Sequence, residues 1–227
     1  MRSNIAVVGC GYWGKNFVRN LHDLKSLYCI SEKDHAKAEE FIDTLNVKNY
    51  SFKQVINDKN VDAVVLAVPA QHHSKMAIAA MESKKHVFVE KPLAMNVRDA
   101  TSMIKISEKN NVNLMVGHLL HYHPAFIEVK KLCKNGKIGR IKQIIANRMS
   151  LGKIRSEEDV IWSFAPHDIS MILSLVNEDI KSIYTSGKKI VQDQLSDLAQ
   201  IQINFANDIS AKISVSWLHP FKEHKLV

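Results

Sequence analysis

Three glycines near the beginning of the chain have a spacing that suits phosphate binding. Gly9, Gly11 and Gly14 follow the apolar run 5–8 and precede a helical pattern over 15–21. In such a segment the first glycine permits a tight turn, the second lets the backbone approach a pyrophosphate, and the third lets helix and strand pack closely. The beginning of the helix adds unpaired N–H groups and a positive dipole end. The segment therefore predicts a dinucleotide-binding loop.

An acidic residue follows at the distance that such a loop requires. Glu32 lies 18 positions past Gly14, after the short apolar stretch 27–30, where a carboxylate accepts hydrogen bonds from the adenosine ribose. Because a carboxylate repels a 2′-phosphate, the pattern favours NAD, although Lys33 beside it keeps NADP as an alternative. The competing interpretation is that Glu32 only places a negative charge near the beginning of a helix over 36–45.

A second candidate for chemistry is the tripeptide Glu90-Lys91-Pro92. It follows a predicted strand over 86–89, and ligands bind at the carboxyl ends of strands in doubly wound sheets. Pro92 restricts Lys91 to extended conformations and makes a cis bond possible. A lysine beside the positively charged nicotinamide would find its ammonium form disfavoured and could act as a general base towards a substrate hydroxyl. The alternative is an ordinary surface Glu-Lys pair before a loop proline.

Several histidines are candidates for ligand contacts. His118, His121 and His123 could suggest zinc, but their spacing includes no carboxylate, and we predict no metal site. Tyr122 or His118 is expected to line a substrate pocket. In the doublet His72-His73, one ring is expected at the cofactor and the other in solvent.

Elements that alternate along the first half of the chain must position these residues. The predicted strands are 5–8, 27–30, 61–68, 86–89 and 112–116, and the main predicted helices are 36–45, 74–83 and 97–110. This alternation is typical of a parallel, doubly wound sheet, and the apolar run 61–68 suits a central strand buried on both faces. We therefore predict a Rossmann domain over residues 1–121.

The pattern changes over residues 122–227. We expect helices over 124–134 and 167–176, a turn at Gly136 and Gly139, and strands over 141–149, 180–186, 199–205 and 209–217. The last three stretches alternate apolar and polar residues, as antiparallel strands with one solvated face do. The expected fold class is α/β, in which the Rossmann domain precedes an α+β domain with a largely antiparallel open sheet. That sheet looks incomplete, because 225–227 resembles the beginning of another strand.

Composition excludes several classes of protein. No apolar run approaches the roughly 18 residues of a membrane span, and no secretory pattern begins the chain, so a cytoplasmic protein without a membrane partner is expected. The net charge of +8 suits an anionic small molecule better than nucleic acid, because the lysines are scattered and no aromatic residues are interleaved with them. Cys10, Cys29 and Cys133 lack metal-type spacing, and we interpret them as reduced and structural.

Together these motifs resemble the glucose-fructose oxidoreductase / inositol dehydrogenase (Gfo/Idh/MocA) family. The matching segments are 9–14, Val68-Pro69 with His73, 87–93 and 136–139. The resemblance implies that Lys91 is catalytic and that Glu90 touches the nicotinamide side. It also implies a set of further cofactor-binding residues, which comprises Gly9, Gly11, Tyr12, Trp13, Gly14, Glu32, Pro69 and His73.

In that family a histidine of the second domain faces the lysine, often with an aspartate four residues before it. Here the segment 163–168 supplies His167, with Ser163 in the place of the aspartate. His167 would then rely on Asp168, on a bound water or on no partner. The alternative is a histidine that packs and caps at the beginning of a helix.

The substrate is predicted from the run 151–168, which resembles members of nucleotide-sugar pathways for bacterial surface glycans. The expected substrate-binding residues are Tyr122, Arg148, Trp162 and Asp168, with Arg148, Lys153 and Arg155 as candidate partners of a diphosphate. The expected reaction is NAD-dependent hydride transfer from a sugar secondary alcohol, C3 of a UDP-N-acetyl sugar, with Lys91 and His167 as the acid–base pair.

Other functions stay open at this point. One is a dehydrogenase or reductase of a free sugar or inositol, and another is a non-catalytic NAD-binding sensor or assembly subunit. The chain is shorter than family members usually are, which suggests a C-terminal truncation. The resemblance implies that the full-length form is a homo-oligomer.

Overall fold

A six-stranded parallel sheet organises the first part of the molecule. The computed structural model describes residues 3–156 and 158–227, in a first unit that ends at Gly117 and a second that begins at His118. The strands of the first unit are β1 (Ile5–Val8), β2 (Leu27–Ser31), β3 (Lys48–Asn49), β4 (Ala63–Leu66), β5 (His86–Val89) and β6 (Leu114–Val116), and their spatial order is β3-β2-β1-β4-β5-β6. This order is that of a Rossmann sheet, and its strand order reverses between β1 and β4.

Helices connect these strands. They are α1 (Gly14–Asp23), α2 (His35–Leu45), α3 (Phe52–Asn57), α4 (His73–Glu82) and α5 (Val97–Asn110). The strands at the centre are buried on both faces: in β4, Val64 and Leu66 belong to one core cluster and Val65 to another. An apolar side chain at every position of β4 is therefore required, because alternate residues face opposite layers.

The second unit contains a mixed five-stranded sheet. Its strands are β7 (Gln143–Leu151), β8 (Ile180–Lys188), β9 (Leu198–Phe205), β10 (Ser210–Ser216) and β11 (Leu218–Leu226), in the order β11-β7-β10-β9-β8. Only the β7 and β10 pair is parallel among these neighbours. Its helices are α6 (Pro124–Lys134) and α7 (Val160–Leu175). In β9 the apolar residues are buried and the glutamines between them are exposed, so one face supplies the core.

Several elements differ from the sequence expectations. Helix α7 begins at Val160, seven residues before the expected helix over 167–176, because Asp159 caps it and Pro166 lies inside it. The pattern around Pro166 resembled a helix beginning, where proline is favoured. Helix α3 was not expected, although Ser51 and Gln54 form a capping box at its beginning. Strand β11 runs over nine residues, where only a strand beginning at 225 was expected.

Candidate functional site

The glycine loop between β1 and α1 combines two crowded glycines with one open glycine. Gly9 has φ +86°, and a Cβ there would lie 2.7 Å from the Ala67 oxygen. A Cβ on Gly14 would lie 1.8 Å from the Gly9 oxygen, whereas a Cβ on Gly11 would meet no atom within 4 Å. The turn and the packing of α1 therefore require the outer glycines. Gly11 instead leaves a bare backbone beside open space, the cradle that a pyrophosphate needs.

The helices of the first unit begin in two different ways. Asp34, Ser51 and Asn96 cap α2, α3 and α5 with a side chain that accepts a backbone N–H. Helices α1 and α4 begin without a side-chain cap and without an acidic residue in the first turn. They follow β1 and β4, the two neighbours at which the strand order reverses. The positive end of α1 is therefore left available to an anion at the usual ligand-binding edge of such a sheet, whereas α4 continues from a 3₁₀ turn over Ala70–His72.

The Glu32 carboxylate lies against the glycine loop. Its Oε2 accepts a hydrogen bond from the Cys10 N–H at 2.6 Å, and its Oε1 accepts one from the Asp34 N–H at 3.0 Å. The side-chain cap of α2 is Asp34 and not Glu32, although Glu32 also places its charge at this helix beginning by accepting the Asp34 N–H. Since each carboxylate oxygen has two lone pairs, Glu32 can still accept hydrogen bonds from a ligand.

Two aromatic residues of the loop face outwards. Tyr12 is 80% exposed and Trp13 is 46% exposed, and their rings meet edge to face at 6.1 Å. The Lys15 ammonium lies 5.6 Å from the centre of the Tyr12 ring. The loop therefore offers apolar ring surface and a cation beside the open backbone at Gly11.

The doublet that follows Pro69 differs from expectation. His72 is exposed, but His73 is 1% exposed, with Nδ1 2.7 Å from the Pro92 oxygen and Nε2 2.8 Å from the Val68 oxygen. Both ring nitrogens thus face backbone carbonyls within the protein. The sequence predicts that one ring of this doublet contacts the cofactor. Since both nitrogens of His73 face the protein, a side-chain hydrogen bond to the cofactor would have to come from His72.

Lys91 lies at the carboxyl end of β5. The Lys91–Pro92 bond is cis, and the Lys91 N–H donates to Glu90 Oε2 at 3.1 Å. Burial raises the pKa of Glu90, against the opposing effects of the Lys91 N–H and charge. A Cβ on Gly117 would approach the Glu90 carboxylate to 3.1 Å. Gly117 therefore makes room for this carboxylate, a role that sequence reasoning missed although a glycine directly after β6 was a signal.

In the second unit, α7 carries three of the predicted residues. Trp162 follows the cap, and its N–H donates to Asp159 Oδ1 at 3.0 Å. Ser163 is buried, and His167 lies four residues further along the same face of the helix. His167 thus lies within α7 and not at its beginning, so the alternative of a capping histidine is wrong.

Arg148 and Asp168 form a buried, bidentate ion pair between β7 and α7. Arg148 Nε lies 2.7 Å from Asp168 Oδ2, and Nη2 lies 3.0 Å from Oδ1, with side-chain exposures of 10% and 2%. Asp168 therefore pairs with Arg148, whereas the sequence suggested Asp168 as a partner of His167. The guanidinium that was a candidate partner of a diphosphate is already neutralised by this pair.

In the histidine-rich turn at the beginning of the second unit, packing and capping account for His121 and His123. Tyr122 is exposed at the end of a 3₁₀ turn over Leu119–Tyr122. His121 packs edge-on against Phe126 at 5.5 Å, and His123 Nδ1 accepts the Ala125 N–H at the beginning of α6. Burial lowers the pKa of His118, and the neighbouring His121 lowers it further. Over residues 3–156 and 158–227, no group of three or more His, Cys, Asp or Glu residues could hold a metal ion.

Comparison with known proteins identifies the family. Residues 3–118 match the model of the oxidoreductase family with an NAD-binding Rossmann fold, and residues 126–227 match the model of the GFO/IDH/MocA C-terminal domain. The chain belongs to the GFO/IDH/MocA family, which confirms the resemblance. Within the described residues, no helix is long and apolar enough to cross a membrane.

Named relatives span more than one reaction. A myo-inositol 2-dehydrogenase from Thermotoga maritima is 29% identical over 207 residues, which cover 87% of this chain and 62% of that protein. A 2,7-anhydro-N-acetylneuraminate hydratase from Escherichia coli is 34% identical over 142 residues, which cover 61% of this chain and 37% of that protein. A solved UDP-N-acetylglucosamine 3-dehydrogenase from Acidithiobacillus ferrooxidans has the same fold, with a TM-score of 0.90 and 22% identity over 100% of this chain and 73% of that one.

Proposed function

We propose that this protein is an NAD-dependent oxidoreductase that transfers a hydride between a secondary alcohol carbon of a sugar or cyclic polyol and the nicotinamide. One observation carries the proposal: the open backbone at Gly11, at the beginning of uncapped α1, lies at the same edge of a parallel sheet as Lys91. Carboxyl ends of parallel strands meet at one edge, where ligands bind in this architecture. A phosphate cradle and a proton-transfer group are thus provided by one sheet.

The first unit supplies the cofactor-binding residues of the proposal. Gly11 and the beginning of α1 would receive the pyrophosphate, and Tyr12 and Trp13 would cover it. The carboxylate of Glu32 would accept the ribose hydroxyls, which favours NAD over NADP. Pro69, Glu90 and Lys91 follow β4 and β5 and would lie towards the nicotinamide. When bound, the cofactor supplies the hydride acceptor.

Lys91 is the proposed general base. Its backbone N–H donates to the Glu90 carboxylate, which helps to hold the residue at the carboxyl end of β5. A positively charged nicotinamide would disfavour the ammonium form, and the neutral amine can then accept the proton of the substrate hydroxyl. His167 on α7 is the proposed partner in the second unit, and Trp162 and Tyr122 are proposed substrate contacts.

Two substrate classes are proposed. The nucleotide-sugar class, with a UDP-N-acetyl sugar oxidised at C3, is supported by the net positive charge and by the resemblance of the run 151–168. The free inositol or sugar class is supported by the buried Arg148–Asp168 pair, which neutralises the strongest candidate for a diphosphate contact. It is also supported by the printed names of several relatives, which are inositol dehydrogenases.

The cofactor part of the proposal can be tested by NADH titration. Gly11→Ala should fold normally, because its Cβ meets no atom within 4 Å, but should weaken NADH binding at least tenfold, about 1.4 kcal/mol. Gly152→Ala in the second unit is the control: its Cβ would meet only the side-chain Ser150 Oγ within 4 Å, at 3.3 Å, and the variant should bind NADH as the wild type does. Equal NADH affinity in the wild type and Gly11→Ala would exclude this loop as the cofactor site.

The catalytic part is tested by NADH formation from NAD⁺ with a panel of inositols, free sugars and UDP-sugars. Lys91→Met should lower turnover by roughly 10²- to 10⁴-fold, the usual contribution of a general base, while NADH still binds. Unchanged turnover would exclude Lys91. If NADH binds but no substrate in the panel reacts, the non-catalytic NAD-binding function is the better supported one.

A further inference from the structure

His73, the first residue of α4, joins the segments that follow two neighbouring strands. Its ring is 1% exposed, and it lies between the Val68 oxygen at 2.8 Å and the Pro92 oxygen at 2.7 Å. Val68 follows β4, and Pro92 follows β5. Both distances are short for hydrogen bonds between a ring nitrogen and a carbonyl.

The two partners restrict the chemistry of this ring. A carbonyl oxygen only accepts hydrogen bonds, so the imidazole must be the donor on each side. The ring therefore lies between two acceptors, each facing one of its nitrogens. A side chain with a single short polar group or with no polar group could not bridge them.

The position of this ring matters because the backbone hydrogen bonds that pair β4 with β5 end close to it. The registered pairs run from Ala63 and His86 to Leu66 and Val89, and the Glu90 N–H still donates to the Leu66 oxygen at 3.0 Å. Past this point, His73 connects the two segments through its side chain. Lys91 lies between these two attachments, the Glu90 N–H before it and the Pro92 carbonyl after it.

We propose that His73 is a positioning residue for Lys91: through its ring contacts with the Pro92 and Val68 carbonyls, it holds the turn that carries Lys91 at the carboxyl end of β5. The proposal rests on the proposed function of Lys91 as the proton-transfer group. The bond that acts on Lys91 is the one from Nδ1 to the Pro92 carbonyl. The bond from Nε2 fixes the ring itself against the segment after β4.

Two variants with amide side chains, His73→Asn and His73→Gln, distinguish the effect of the bond to Pro92 from that of the bond to Val68. In His73→Asn the amide nitrogen can take the place of Nδ1 and still donate to Pro92, whereas in His73→Gln the longer side chain places its donor near Nε2, towards Val68. Both variants lose one of the two bonds, so we expect similar losses of stability. Only His73→Gln loses the bond next to Lys91.

The measurement is the pH profile of lysine modification by trinitrobenzenesulfonate, followed by peptide mass spectrometry on the folded protein. We expect the midpoint of Lys91 modification to move by about half a pH unit or more in His73→Gln, because the environment of the amine changes. In His73→Asn the Lys91 midpoint should stay at the wild-type value. Exposed Lys75, on the same helix, is the internal control and should be unaffected in both variants.

An unchanged Lys91 profile in His73→Gln would overturn the proposal, and so would equal shifts in both variants or a shift at Lys75, because these results indicate a general structural role. The test needs neither turnover nor a known substrate. It is therefore separate from the proposed function, whose own failure would be seen as normal turnover in Lys91→Met.

Discussion

The two units differ in whether their partly or fully buried charged groups are paired with an opposite charge. In the first unit, Glu32 is partly exposed beside the glycine loop, each of its oxygens accepts a backbone N–H, and α1 begins without a side-chain cap. In the second unit, Arg148 and Asp168 neutralise each other's charge in a buried bidentate pair. The comparison teaches that a charge is available to a ligand only where the fold has not already paired it with an opposite charge. A charged residue in the right region of the sequence is not enough.

The largest effect on stability should come from breaking the buried Arg148–Asp168 ion pair. Asp168→Ala leaves the Arg148 guanidinium buried without its partner, and we expect a loss of about 3–5 kcal/mol in the free energy of unfolding. Urea denaturation followed by circular dichroism measures it. The double variant Arg148→Met/Asp168→Leu should recover most of the loss, since an apolar pair often replaces a buried ion pair without cost. A loss below about 1 kcal/mol in Asp168→Ala would show that the pair is solvated, and the contrast between the units would disappear.

A smaller effect, on cofactor binding and not on folding, is expected when the charge of Glu32 is removed. Glu32→Gln keeps an acceptor for the Cys10 N–H but removes the negative charge, so NADH affinity should fall about tenfold, or 1.4 kcal/mol, and NADPH should bind better than it does to the wild type. Thermal stability should change little. Exposed Glu40→Gln on α2 is the charge-matched control. If both variants change NADH and NADPH affinity equally, Glu32 has no specific part in binding.

The capped helices provide a third test of the comparison. Asn96 Oδ1 accepts the Asp99 N–H at 2.8 Å, and Asn96→Ala should lower the free energy of unfolding by about 1 kcal/mol. NADH affinity should stay the same, because this helix beginning is already satisfied within the protein. Arg98→Ala, at an exposed position of the same turn, should change stability by less than about 0.5 kcal/mol. A loss of NADH affinity in Asn96→Ala alone would mean that capped helices also serve the cofactor.

The smallest effect concerns the reactivity of the Cys10 thiol, which lies next to Glu32. Burial raises the pKa of Cys10 to about 12, with the Glu32 charge adding to it, and burial raises that of Cys29 to about 12. A raised pKa lowers the thiolate fraction at pH 8, by roughly tenfold per unit. Iodoacetamide should therefore spare Cys10 and Cys29 in the native protein, while partly exposed Cys133 reacts. Fast native-state modification of Cys10 would mean that the glycine loop opens readily.

Local patterns predicted much of the first unit. Strand β5 and helix α5 have the bounds expected from the sequence, and so does helix α6 at the beginning of the second unit, because apolar runs, the Asn96 cap and Pro124 at the first helical position act over a few residues. The glycine loop was recognised for the same reason. Helix α7 was shortened in the prediction because Pro166 resembles a helix beginning, while the true cap at Asp159 followed a run of charged residues.

The sequence by itself determined most of the elements, the family and the chemical types of the candidate residues. Tertiary structure alone decided how the charges and ring nitrogens are used. Arg148 and Asp168 are twenty residues apart, and their pairing depends on α7 packing against the sheet that contains β7. His73 meets the Pro92 carbonyl nineteen residues away because β4 and β5 are neighbours. Local propensity extends over a few residues, whereas the burial and pairing of a polar group depend on which distant segments the fold brings against it.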